Sequence, residues 1–359
     1  MYKNFLMLVI NPGSTSTKVS VFSNLECKAT KSLQHSSEEL EKFAVISDQY
    51  EFRKKAVTDY LSELSISARE LDAVVGRGGL LRPLKGGTYL IGNTMLDDLK
   101  SMRYGQHASN LGAIISYEIA ASVNKPSYIV NPVVVDEMEP LARFSGHPEI
   151  PRKSVFHALN QKAVAKRASA DMGMDYNGAN MIIAHLGGGI SVAAHKKGRV
   201  IDVNNGLEEG PFSPERTGSL PVIQLMELCY SGRYTKNDMK KLLVGKGGLA
   251  AYLGTTDCVE IEQQINNGNT HAHDVFEALA YQVSKEIAAL GAVLYGKVDA
   301  VVLTGGLARS KTLTGWITER VNYLAKVLVY PGEDEMHALA EGALRVLTGE
   351  ETALEYDNA

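Results

Sequence analysis

The sequence predicts an α/β protein built from two similar halves, on three observations. Residues Phe5 to Phe22, FLMLVINPGSTSTKVSVF, read as an apolar strand, a break at Asn11-Pro12-Gly13, and an alternating strand that begins at Lys18. Residues Met181 to His195, MIIAHLGGGISVAAH, repeat that arrangement about half a chain later, with Gly187-Gly188-Gly189 as the turn. The 359 residues are enough for two domains of ordinary size, drawn here as 1–175 and 176–359, with the last helix free to pack back on the first.

The tips of the two hairpins give the chemistry. The first offers backbone N–H groups, the hydroxyls of Ser14 to Thr17 and the Lys18 ammonium; the second offers three glycines with His185 just before them. Phosphate oxygens need many donors at close approach, so such tips suit an anion. Either hairpin alone reads as an ordinary tight turn. The pair reads as two glycine turns facing one set of phosphates.

Composition excludes several classes. Hydrophobic residues make up 45% and charged residues 22%, as in an average globular protein, and the net charge of −4 argues against a nucleic-acid binder. Cys27, Cys229 and Cys258 are odd in number and far apart, which points to a reducing compartment without a disulfide framework or zinc site. The apolar run before Asn-Pro-Gly is too short for a signal-peptide core or a membrane span. A cytoplasmic protein with no membrane partner is expected.

Between the hairpins, Glu26–Gln34 is expected to be a third strand, and 36–64 has a helical period. The strand Leu71–Val75 runs into Gly76-Arg77-Gly78-Gly79, where glycines around an arginine let a guanidinium approach a ligand, or form a plain loop. Helices are predicted over 93–102 and 107–123. A buried strand is predicted over 127–135, which puts Asp136 at its end, facing a cleft or capping a helix. The loop 143–155 leads to Phe156-His157 and a helix over 160–172, with His157 at the junction as a cap or surface residue.

In the second half, strand 200–203 follows a tight turn, and 204–219 is a long irregular loop whose one basic residue is Arg216; long loops in compact domains are commonly functional. Helices are predicted over 222–230, 236–244 and 272–295. His271 and His273, two apart at a helix start, read as surface residues. Strand 298–303 ends in Thr304-Gly305-Gly306-Leu307, where a glycine pair lets a flat ring such as adenine lie against backbone. Helix 311–324, strand 327–330 and helix 336–347 complete the chain. The acids Glu333-Asp334-Glu335 before the last helix either complement its dipole or ligate magnesium.

GxxxxGK[ST], GxSxG, HExxH and the protein-kinase HRD and DFG motifs do not occur. Gly245-Lys246-Gly247-Gly248-Leu249-Ala250 matches GxGxxA but lies between helical segments, which argues against a dinucleotide site.

Together, NPGSTSTK at 11–18, HLGGG at 185–189 and TGGL at 304–307 resemble the two phosphate motifs and the adenosine motif of the acetate and sugar kinase, actin-like superfamily. GRGGLLRP at 76–83, NPVVVDEMEP at 131–140, FHALNQ at 156–161, GPFSPERTG at 210–218 and PGEDEM at 331–336 narrow the resemblance to the butyrate kinases among the short-chain carboxylate kinases. It runs from about residue 5 to about residue 348. It implies duplicated actin-like (ribonuclease H-like) domains with a nucleotide cleft between them, ATP/ADP and Mg²⁺ as cofactors, and a homodimer or a multiple of one.

The resemblance also implies the site. Asn11, Ser14, Ser16 and Lys18 would lie at the phosphate and magnesium side of the first hairpin. Arg77 and Arg216 would be the active-site arginines, Asp136 the active-site acid and His157 the active-site histidine. His185, Gly187, Gly188 and Gly189 would hold nucleotide phosphates, Gly305 and Gly306 the adenosine, and Glu335, or Glu333 in another register, would meet magnesium with Asn11. Phe156 is the candidate wall of an acyl pocket. Two departures from acetate kinases agree with the butyrate branch: Gly188 stands where they have asparagine, and the loop around Arg77 is shorter. The implied reaction moves the γ-phosphoryl of ATP to butyrate. Isobutyrate or isovalerate, then acetate or propionate, are the alternative acceptors, and an actin-like ATP-binding protein is the reading outside the enzyme class.

Overall fold

The computed structural model describes residues 4–358, which form two compact units: residues up to 136 with 334 onward, and 137–333. The first unit holds strands β1 (Leu6–Pro12), β2 (Ser16–Ser23), β3 (Glu26–Gln34), β4 (Ala73–Gly76), β5 (Thr88–Leu90) and β6 (Ser127–Val130), with a two-residue strand Leu354–Glu355. The second holds β7 (Asn180–Leu186), β8 (Ile190–Lys196), β9 (Arg199–Val203), β10 (Ala300–Gly305) and β11 (Lys326–Pro331). The order β3-β2-β1-β4-β6 in one sheet matches β9-β8-β7-β10-β11 in the other. In both, the first three strands are antiparallel and the rest parallel. The duplication suggested by two hairpins is thus a duplication of whole sheets.

The apolar strands are sandwiched. In the second unit, β7 sends Ile182, Ala184 and Leu186 into a core with the helices Thr270–Val293 and Lys311–Val321, including Phe276, Leu279, Val283 and Ile317. Its alternate residues Met181 and Ile183 face Val164, Ala165 and Ala168 of the helix Ala158–Asp171. A two-residue period buried on both sides produces the unbroken apolar run in the sequence. In the first unit, Leu8, Ile10 and Val74 pack with Val57 and Leu61 of the helix Tyr50–Glu63 and with Leu111, Ile114 and Ile115 of Asn110–Ala121. The helix Glu335–Leu347 also packs on this sheet, so closely that a Cβ on Gly342 would stand 2.4 Å from Val130.

Several predicted elements change. The sequence draws the domain boundary at 175/176, but 137–175 pack with the second unit because the helix Ala158–Asp171 covers β7 and β10. The helical stretch 36–64 breaks into Ser37–Leu40, a 3₁₀ turn Ile46–Gln49, and Tyr50–Glu63. The strand predicted over 127–135 ends at Val130: Asn131 turns with φ +39°, Pro132 has no N–H to give a ladder, and Val135 keeps only an isolated bridge to Leu84. Asp136 is therefore neither at a strand end nor a helix cap; its N–H donates to the Leu84 carbonyl at 2.8 Å. Helices Gly248–Leu253 and Cys258–Asn266 are additions. Among the described residues, no helix is long and apolar enough to cross a membrane.

A buried polar chain ties the helix Ala158–Asp171 to β8. The Tyr176 hydroxyl lies 2.9 Å from His195 Nδ1, His195 Nε2 lies 3.1 Å from Gln161 Oε1, and Gln161 Nε2 donates to the Ser191 carbonyl and hydroxyl at 3.0 Å. Burial, with the Lys162 charge adding to it, holds His195 well below its ordinary value of 6.5. The unfolded chain therefore binds the extra proton first, and the stability His195 provides is full above about pH 7 and lost as pH falls below 6.5. Between pH 7.5 and 5.5 the unfolding free energy in urea should fall by about 1.4 kcal/mol more in the parent than in His195→Gln. Equal pH dependence in the two would overturn this.

Candidate active site

In the first unit, β1 and β2 pair Asn11 with Lys18 and Pro12 with Thr17, leaving Gly13-Ser14-Thr15 as the turn. Lys18 thus lies inside β2 rather than at the tip, with its side chain exposed. What fixes the turn comes from outside the hairpin. Arg53, 1% exposed, reaches over from its helix and donates to the carbonyls of Gly13 (2.8 Å), Ser14 (2.9 Å) and Ser16 (3.0 Å) and to Thr17 Oγ1 (3.2 Å). Gln49 Oε1 accepts from its Nε and Nη2. Burial pulls the Arg53 guanidinium down to about 10, so it is still a cation at neutral pH. His35 Nε2 meets Thr17 Oγ1 at 2.9 Å from the other side.

Asn11, at the end of β1, donates from Nδ2 to Glu335 Oε2 at 2.6 Å. Arg77 Nη1 lies 3.2 Å from Glu335 Oε1, a charge contact without the angle of a hydrogen bond. The glycines around Arg77 do not clear space for a ligand. A Cβ on Gly76 would stand 2.3 Å from the Gly112 carbonyl, one on Gly79 2.5 Å from Asn110 Cα, and one on Gly78 2.6 Å from Pro132. Gly76 and Gly79 let the Arg77 loop press against the helix Asn110–Ala121, Gly78 lets it press against Pro132, and Arg77 itself is buried. His107 belongs to this cluster and was not singled out in the sequence: burial first, then the nearby Arg77 charge, lowers its pKa.

The acid run before the last helix splits three ways. Asp334 caps the helix, its Oδ1 accepting from the His337 N–H at 3.1 Å. Glu335 turns onto Asn11 and Arg77 as described. Glu333 belongs to the second unit, where its Oε2 lies 3.1 Å from His157 Nε2 and its Oε1 3.6 Å from His185 Nε2.

In the second unit, His157 caps the helix Ala158–Asp171, its Nδ1 accepting from the Asn160 N–H at 3.3 Å. His185, on β7, has Nδ1 2.8 Å from Asn160 Oδ1, and the two imidazoles stack with centroids 4.4 Å apart. Phe156 is buried beside His157. The Gly187-Gly188-Gly189 turn closes β7 onto β8 and is held by the Ser213 hydroxyl, which donates to the Gly188 carbonyl at 2.7 Å.

Arg216 lies across this turn. A Cβ on Gly189 would stand 2.0 Å from Arg216 Nη1 and 2.7 Å from its Cζ, while one on Gly188 would meet nothing within 4 Å. Nη1 also donates to the Gly206 carbonyl at 2.7 Å, and burial lowers the guanidinium from its usual 12.5. The GxGxxA stretch is the buttress of this arginine. Gly245 and Gly247 donate N–H to the Glu215 carbonyl, Arg216 bridges Val244, and Gly248, with φ +59°, leaves no room for a Cβ against the Ser213 carbonyl. At the end of β10, Gly305 has φ +94° and lies against the Leu186 backbone, whereas Gly306 has open space where a Cβ would point.

The structure therefore brings Asn11, Arg77 and Glu335 together in one unit. In the other it brings together His157 with His185, and Arg216 with the glycine turn. Arg53, His107, Ser213 and Glu333's two histidine contacts were not legible in advance.

The acetokinase family model matches residues 148–326. Acetate kinase from Porphyromonas gingivalis superposes with a TM-score of 0.78 at 20% identity, over 96% of this chain and all of that one. Propionate kinase from Francisella tularensis superposes with a TM-score of 0.71 at 19% identity, over 94% and 98%. A ROK family protein from Streptococcus pneumoniae reaches 0.52 at 12% identity, over 97% and 100%. The chain thus has the actin-like ATPase fold seen in acetate kinases and, over residues 148–326, a sequence that matches the acetokinase family.

Proposed function

We propose that the chain is an ATP-dependent carboxylate kinase that moves the γ-phosphoryl of ATP to a short-chain carboxylate, giving an acyl phosphate and ADP, with butyrate as the preferred acceptor. The observation that carries this reading is the half-buried Arg216 guanidinium laid against Gly189 of the second glycine turn. The acetokinase match over residues 148–326 supports it.

The nucleophile is already ionised at neutral pH, because carboxylic acids titrate near ~4–5. No base has to activate it; the difficulty is bringing two anions together. The residues fit that task. Arg77, Arg216 and Lys18 neutralise the acceptor and the oxygens of a loose in-line transition state, and His157 donates a hydrogen bond. Backbone donors of the turns at 13–15 and 187–189, with the hydroxyls of Ser14 and Ser16 and with His185, take the phosphates. The open face of Gly306 suits adenine, with Gly305 as its backbone support. Asp136 positions water or the metal rather than abstracting a proton.

The oxygen donors of Asn11 and Glu335 fit Mg²⁺, which binds few protein carboxylates and leaves room for phosphates. Glu333, which faces two imidazoles, does not offer that donor set. Bound at Asn11 and Glu335, Mg²⁺ would offset charge on the nucleotide phosphates.

Butyrate is favoured over acetate by Gly188, which stands where acetate kinases carry asparagine, and by the short loop around Arg77. Phe156 is assigned to the wall of the acyl pocket. Each buried methylene is worth ~0.8 kcal/mol, about fourfold in binding, so isobutyrate and isovalerate are close competitors. A hydroxylamine trap for acyl phosphate, run with ATP, Mg²⁺ and acids from acetate to valerate including the branched ones, tests the proposal. Product should peak at four carbons. Product only with acetate or propionate would reassign the acceptor, and no product with any acid would leave an ATP-binding protein of this fold.

A further inference from the structure

We infer that the second unit carries a site for one borderline divalent metal ion, of the Zn²⁺ or Co²⁺ class, formed by His157, His185 and Glu333 and separate from any Mg²⁺ at Asn11 and Glu335. One ligand atom of each of the three residues lies within 4.8 Å of the others. Two imidazole nitrogens and one carboxylate make a donor set that Zn²⁺ and Co²⁺ accept and Mg²⁺ does not seek, and three protein ligands leave a position open.

Three features prepare the site. Asn160 Oδ1, an acceptor, faces His185 Nδ1 at 2.8 Å, so the ring proton sits on Nδ1 and the Nε2 lone pair is turned toward Glu333. Gly187 adds no side chain at the donor atoms: a Cβ there would stand 2.9 Å from His185 Nε2 and 3.5 Å from Glu333 Oε1. Glu333 follows Gly332, whose φ of +90° and paired hydrogen bonds with Gly305 fix where the carboxylate begins. His157 has to change tautomer. Its Nδ1 now accepts the long 3.3 Å bond from the Asn160 N–H; ligation through Nε2 moves the ring proton to Nδ1 and releases that cap. The site does not depend on the carboxylate kinase reading, although a metal there would occupy two histidines which that reading assigns to the reaction.

The test is a titration of the full chain, first stripped with chelator, with Co²⁺ alone. We expect visible d–d absorption that saturates at one Co²⁺ per chain. Zn²⁺ should displace it one for one, and a large excess of Mg²⁺ should not. Glu333→Gln and His185→Gln should each weaken Co²⁺ binding at least tenfold, as should Asn160→Ala through loss of the bond that orients His185. His271→Gln combined with His273→Gln should leave it unchanged. Circular dichroism checks that each variant is folded; Glu333 is the most exposed of the three, so its variant keeps the test decisive if a histidine variant misfolds. Absence of the band, displacement by Mg²⁺, or unchanged affinity in folded Glu333→Gln would overturn the site.

Discussion

Gly189→Ala should lower kcat for acyl phosphate formation about 100-fold, while Gly188→Ala changes it less than about threefold. The two glycines are neighbours in one turn, and neither has a positive φ, so backbone strain does not separate them. What separates them is Arg216. At Gly188 a methyl group enters open space; at Gly189 it would stand 2.0 Å from Nη1. The clash is with the far end of a flexible side chain, so the fold yields cheaply by swinging the guanidinium away and giving up its bond to the Gly206 carbonyl. The loss then falls on catalysis. Removing one preorganised donor to developing negative charge costs about 10²–10³-fold in kcat. The thermal midpoint of Gly189→Ala should stay within a few degrees of the parent, since one part-buried hydrogen bond is lost. Arg216→Ala should resemble Gly189→Ala in rate, and the double variant should be no worse than Arg216→Ala alone, because both changes remove the same interaction. Full activity in Gly189→Ala would sink the role given to Arg216. An equal loss in Gly188→Ala would move the effect to the turn itself.

What could be read in the chain was local. The two hairpins announce themselves by a two-residue period and glycine turns, and both appear where expected, 6–23 and 180–196. The apolar run of β10 and the helix after it are equally plain. What failed depended on residues far apart in sequence. The glycines flanking Arg77 read as room for a ligand or as a plain loop; Gly76 and Gly79 pack on the helix Asn110–Ala121, some thirty residues on, and Gly78 on Pro132. The Val133–Val135 run looked like strand because apolar content outweighed Pro132, which ends the ladder. The GxGxxA stretch made sense only once Arg216 was seen to rest on it. Arg53 gave no signal: an arginine in a charged helical stretch reads as a solvated side chain, and only the tertiary structure shows it fully buried. The one cue available was that it stands four residues after Gln49, a helical spacing that lets the amide oxygen accept from the guanidinium.

Arg53→Met should reduce kcat/KM for MgATP about 100-fold while destabilising the chain by only about 2 kcal/mol. Two effects oppose each other in the stability. Methionine keeps much of the aliphatic volume and removes a charge that burial has already pulled down to about 10, which returns the cost of desolvating the guanidinium. Against this, the carbonyls of Gly13, Ser14 and Ser16 and the Gln49 amide lose a charged donor, and each hydrogen bond to a charged group is worth about 1.5–3 kcal/mol. Ser16 still accepts from the Gly13 N–H, and Ser14 is exposed, so water takes over part of the loss. The net penalty stays small, but the turn is no longer held in one shape. A phosphate site made of backbone donors depends on that shape, since a misplacement of about 1 Å costs about 10²-fold. Arg53→Lys should recover stability more than rate: an ammonium reaches one or two of these carbonyls but cannot span them as the guanidinium fork does. Hydrogen exchange separates the turn from the fold. Amides of 13–17 should exchange faster in Arg53→Met while those of β7 and β8 keep the parent rate. If the turn amides loosen and kcat/KM for MgATP is unchanged, the first hairpin does not hold the nucleotide, and Arg53 is a structural staple without a part in the reaction.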